Sequence, residues 1–196
     1  FQYILPEVLF YSYRRKAQRD ILPRWGYQLR LQYLQSPFNK ENYGSLYAGR
    51  LTTYWQGILR NHGLMLRMGY QYQSVDNKTL YLPKHLIDKP RGYNFMYQTR
   101  QQIAFKADYA FSVFSPDLSL GQLAYIRRLR ANLFYDLNRN QAAKGRDWTT
   151  QSSFGTDLIF DWNVFRMSFP LTTGVRLIQP IDYGKFQVEA LFSITF

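Results

Sequence analysis

Cysteine is absent from the 196 residues. That excludes disulfides, thiolate metal sites and cysteine nucleophiles, and leaves the redox compartment open. No run of 18 apolar residues occurs, so the chain has no transmembrane helix. Acidic residues are few: 13 against 25 Lys and Arg, a net charge of +12. Such a balance suits nucleic acid, anionic lipid or acidic polymers. The basic residues are not clustered, however, and most alternate with apolar ones or fall in loops. Nucleic acid is therefore not expected as a partner. Only two histidines occur, His62 and His85, and neither has a ligand-spaced companion, so no metal site is expected. Phosphate-loop, dinucleotide and nucleophile-elbow motifs are missing as well. Asp157 and Asp161 share one strand face, but at about 3.3 Å per residue they stand roughly 13 Å apart. That is too far for a cooperating acid pair. The chain is not expected to be an enzyme, and it implies no cofactor. It begins at Phe1 with no visible signal peptide, as a mature, trimmed or partial chain would.

What is abundant is alternation. Tyr (17) and Phe (15) are over-used and fall at every second position of long segments. Trp25, Tyr27, Leu29, Leu31 and Tyr33 share one face, against Gly26, Gln28, Arg30 and Gln32. Leu64, Leu66, Met68, Tyr70 and Tyr72 oppose Met65, Arg67, Gly69, Gln71 and Gln73. Period two predicts strands. About nine are expected, over 3–14, 25–36, 46–59, 64–75, 96–114, 119–137, 151–162, 165–178 and 185–196. Strands of soluble sandwiches average about 5 to 6 residues. Those expected here are about twice as long, and about 10 tilted residues span a bilayer.

The connections alternate as well. Residues 60–63, 115–118 and 163–164 read as short turns, and 37–45, 76–95 and 138–150 as long polar loops. Short turns on one rim and long loops on the other are the pattern of outer-membrane barrels, whose apolar face meets lipid and whose polar face lines the lumen. The expected fold is an all-β, antiparallel transmembrane β-barrel, one segment over 1–196, in the bacterial outer membrane. Residues 76–95 are its long extracellular loop, folding toward the lumen. Membrane lipid and lipopolysaccharide are its expected surroundings. An odd strand count suggests that strands are missing, because single-chain barrels have even counts. An autonomous eight-stranded barrel, structural or a passive pore, is the competing reading.

Several short motifs, in order, resemble the C-terminal barrel half of the BamA, TamA and FhaC superfamily. They are Arg91-Gly92-Tyr93 at the end of the long loop, Asp108 in "ADYAFSV", Phe134 and Asp136 in "FYD", Ser153-Phe154-Gly155 at a strand start, and an aromatic last residue, Phe196. The resemblance implies about the last nine strands of a 16-stranded barrel, in a divergent member. It implies insertion of membrane proteins or translocation of polypeptides, with client polypeptides and accessory outer-membrane or periplasmic subunits as partners.

Alternation alone points Asp108 and Asp136 to the polar face of adjacent strands. Pro90 stiffens the approach of Arg91, and Gly92 permits close backbone contact. A guanidinium fork matches carboxylates, so Arg91 is expected to enter the barrel and pair with both aspartates. A solvated loop arginine is the alternative. In the terminal strand, Phe186, Val188, Phe192, Ile194 and Phe196 share the apolar face, with Gln187 and Glu189 opposite. This strand is expected to close the barrel. The resemblance implies that the closure opens sideways, and that the terminal aromatic is an assembly signal.

Overall fold

Long alternating segments pair with their neighbours in sequence and build one antiparallel sheet. The computed structural model describes residues 2–14, 20–36, 44–74, 85–93, 99–116, 118–121, 124–164, 171–182 and 184–194. Its strands are β1 (Glu7–Tyr13), β2 (Trp25–Gln35), β3 (Ser45–Gln56), β4 (Gly63–Gln73), β5 (Gln101–Phe114), β6 (Leu118–Leu120), β7 (Ala124–Gln141), β8 (Trp148–Val164), β9 (Leu171–Pro180) and β10 (Gln187–Ile194). Nine of them follow the order β1-β2-β3-β4-β5-β7-β8-β9-β10, and β6 pairs only with β7. No helix occurs among the described residues.

Several boundaries differ from those read in the sequence. The expected loop over 138–150 shrinks, because β7 continues to Gln141 and β8 begins at Trp148. Two of its polar residues are strand residues of the covered face: Asn138 and Asn140 are buried, and the Asn140 amide donates to Gln151 of β8. The described part of the strand expected at 165–178 is Leu171–Pro180, and β8 runs through the turn expected at 163–164. The strand expected at 119–137 is divided into the short β6, which pairs with β7, and β7 itself, with Gly121 in the left-handed region (φ 60°) after β6. The first strand starts at Glu7 rather than residue 3, since Pro6 has no N–H for the ladder and Ile4 makes only an isolated bridge to Gln35. Residues 76–84 and 94–95 of the expected loop, 96–98 and 165–170 of the expected strands, and Phe196 lie outside the described residues, as does the side chain of Ile194.

The two faces are chemically opposite. One in-register row runs Gln28, Thr52, Arg67, Lys106, Asp136 and Ser153 from β2 to β8. Residues 85–93 lie over this face, called here the covered face. The other, open face carries Trp25, Tyr47, Met68, Ile103, Leu133, Phe154 and Phe160, all exposed. Polar side chains are thus buried and large apolar ones face outward, the reverse of a water-soluble sandwich.

The sheet is open. β1 and β10 are its two edges and do not pair with each other. Among the described residues neither closure by the terminal strand nor a closed eight-stranded barrel is present, since each edge has a partner on one side only. In an antiparallel edge strand every second amide lacks a ladder partner. Hydrogen exchange should therefore show alternating fast amides along β1 and β10 and uniform protection along β4 and β5. Uniform protection of β10 would mean that its edge is covered.

Candidate functional site

Residues 85–93 are held by apolar side chains at one end and by charge at the other. Leu86 and Ile87 pack with Leu34, Leu46, Ala48 and Ala104 in the apolar cluster of the covered face. Burying two such side chains contributes about 1.5 to 3 kcal/mol each. Gly69 makes the space: a Cβ there would lie 2.8 Å from Ile87 Cγ2. The backbone is satisfied in place, with Leu86 N–H donating to Gln71 Oε1 at 2.8 Å and Arg50 Nη2 donating to Leu86 O at 2.7 Å. Burial holds the His85 imidazole below its ordinary pKa, with Gln102 acting in the opposite sense.

Pro90 is buried, and Arg91 enters a pocket of carboxylates. Asp136 Oδ2 accepts from both the backbone N–H (2.8 Å) and Nε (2.9 Å) of Arg91, while Nη2 donates to Oδ1 at 2.9 Å. Nη1 lies 2.8 Å from Asp108 Oδ1 and 3.9 Å from Asp157 Oδ2. The guanidinium carbon sits 3.8 Å from the centre of the Phe134 ring. Alternation explains the meeting: Asp108 pairs across the ladder with Phe134, and Asp136 with Lys106, so the acids and the ring form one patch on β5 and β7. The Asp136 side chain is fully buried and that of Asp108 is 5% exposed. Burial disfavours the charge of Arg91, but its bonds to Asp136 and then Asp108 outweigh this and raise its pKa above the usual value.

The same turn reaches the terminal hairpin. Gly92 has φ 83° and rests on Ile178 and Pro180; a Cβ there would lie 2.9 Å from Ile178 Cγ2. Its carbonyl accepts from Gln187 Nε2 of β10 at 2.9 Å. The Tyr93 hydroxyl donates to Asp182 and bonds the Ser152 backbone. Burial, then the Asp182 carboxylate, push the Tyr93 pKa up, so it is a proton donor near neutrality.

The structure therefore brings Arg91, Gly92, Tyr93, Asp108, Phe134 and Asp136 together. It does not bring the apolar set of the last strand to them. Phe186, Val188 and Phe192 are exposed on or beside the open face, and it is Gln187 and Glu189 that turn inward. Asp157 and Asp161, weighed in the sequence only as an acid pair, are each taken by arginine. Arg176 Nε donates to Asp157 at 2.7 Å, and Arg128 and Arg130 bond Asp161. Gly155 has a role other than starting a strand. It lies within β8 opposite Phe134, where a Cβ would meet the ring at 2.6 Å and the Leu177 carbonyl at 2.0 Å. The sequence put Gln187 on the polar face of the terminal strand but did not indicate its bond to Gly92, and it did not mark Arg176 or Asp182, because these bonds depend on where the turn at Gly92 lands and on the register of β8 and β9.

Gly92→Ala should unseat the turn. A left-handed alanine costs roughly 1 to 2 kcal/mol, and the contact with Ile178 adds to it. Protease cleavage within 85–93 should rise several-fold, with the sheet's own unfolding little changed. Unaltered cleavage would show that this backbone geometry is not required. Comparisons of the chain with family models, with curated proteins and with solved structures find no match.

Proposed function

We propose that this chain is part of an outer-membrane β-barrel of the BamA, TamA and FhaC type, which inserts membrane proteins or translocates polypeptides. The observation that carries the reading is Arg91 of the Arg-Gly-Tyr turn, bonded to Asp136 of Phe-x-Asp and to Asp108 on the neighbouring strand. Three separate motifs on which the resemblance rests meet at one point. The aromatic-rich, exposed face supports contact with lipid, and the buried ionic face supports a wetted lumen into which residues 85–93 fold. The second half of the proposal rests on the resemblance, in which the terminal strand, here β10, offers its edge to a client strand for β-augmentation.

The test uses the full-length protein in liposomes, with a urea-unfolded outer-membrane barrel as the client. Heat-modifiable folding of the client should be faster than on empty liposomes, and Arg91→Ala should remove most of the gain. Solute leakage without any acceleration of folding would overturn the proposal in favour of a passive pore. Placement of the open face is checked by Leu66→Arg and Phe192→Arg, each expected to cost about 2 to 4 kcal/mol at mid-depth and to impair membrane assembly. Normal assembly of both would reject it.

A further inference from the structure

A second cationic site lies away from Arg91, on the covered face of β2, β3 and β4. The ladder places Arg30 opposite Arg50, and Thr52 between Gln28 and Arg67. With Tyr54 and Met65 these residues line a cavity of about 250 Å³. Three guanidinium groups therefore come from three successive strands, about 4.8 Å apart at the backbone. Among the described residues no acid lines the cavity. The acids that balance the arginines stand at its margins: Glu7 is 3.4 Å from Arg30, Asp88 is 3.0 Å from Arg50 and 3.8 Å from Arg67, and Asp108 is 2.9 Å from Arg67. Asp108 is also bonded to Arg91, so it neutralises Arg67 only in part. The Asp88 side chain is 46% exposed, where water screens it. Arg67 Nε is buried and has no hydrogen-bond partner among the described residues.

An oxyanion entering the cavity would add an acceptor for the guanidinium groups that line it, whose present acids stand only at its margins. Guanidinium forks match phosphate and carboxylate oxygens in pairs. Gln28, Thr52 and Tyr54 add neutral donors. At about 30 Å³ per water the space holds roughly eight waters, enough for a phosphate group and a small substituent. We infer that the Arg30–Arg50–Arg67 cavity binds a phosphate-bearing anion, either a free phosphomonoester or a phospholipid headgroup. The inference stands on cavity and charge and does not depend on the insertion function.

The experiment measures binding to the full chain in zwitterionic detergent by calorimetry and thermal shift. The probes are inorganic phosphate in one arm and short-chain phosphatidic acid in the other. Sodium chloride at matched ionic strength is the control. At least one phosphate probe should bind saturably and raise Tm, where chloride does not. Which arm responds identifies the source. Arg50→Gln and Arg30→Gln should each weaken binding about tenfold or more. Arg50 also anchors Leu86 and Asp88, so Arg30→Gln is decisive if the Arg50 variant does not fold. Arg139→Gln, which alters a cation over Trp148 instead, should bind like the wild type. Equal effects of phosphate and chloride, or undiminished binding by Arg30→Gln, would overturn the inference.

Discussion

One arginine must be kept where it is nearly dry. Arg91 is 12% exposed, and its charge is stable there only because two carboxylates and an aromatic face meet it. The reverse also holds. Asp136 and Asp108 are buried on their strands, and removing one member of such a set costs about 3 to 5 kcal/mol by leaving the others uncompensated. The strands can therefore carry these acids inward only if residues 85–93 come down over them. Lys106 extends the arrangement, donating to Lys89 O at 2.6 Å while its ammonium stands 3.7 Å from Asp136.

From that point the contacts spread over six strands. Asp108 links β5 to Arg67 of β4, and Asn132 of β7 bridges Asp108 and Asp157 of β8. Arg176 of β9 carries the chain on to Glu189 of β10 at 3.6 Å. Gly92 and Tyr93 reach the same hairpin directly through Gln187 and Asp182. A turn more than 90 residues from the terminal strand in sequence thus touches it in space. In the proposed function, seating of the turn and stability of the β10 edge are linked through these bonds.

Much of this was legible in the sequence because a strand has a strict period of two. Leu66 and Asp108 could be given opposite faces without any structure, and the order of Arg91, Asp108 and Asp136 indicated their meeting. Lengths were less legible where polar residues lie on a covered face. Asn138 and Asn140 look like loop residues, since polarity in sequence does not tell an inward strand face from a solvated turn. The break between β6 and β7 was missed because three residues carry too little period to be told from the long strand that follows. The seats of Leu86 and Ile87 were missed for a different reason: the vacancy above Gly69 exists only once the strands are in register.

The central claim is that the ion set, rather than general burial, fixes the turn on the sheet. A double-mutant cycle on Arg91→Met and Asp136→Asn measures this most directly, reading the free energy of opening 85–93 from native-state proteolysis. A coupling energy of about 2 kcal/mol or more is expected for groups in one buried network. Additive effects, within about 0.5 kcal/mol, would contradict the account and leave the apolar seats and the remaining hydrogen bonds to hold the turn.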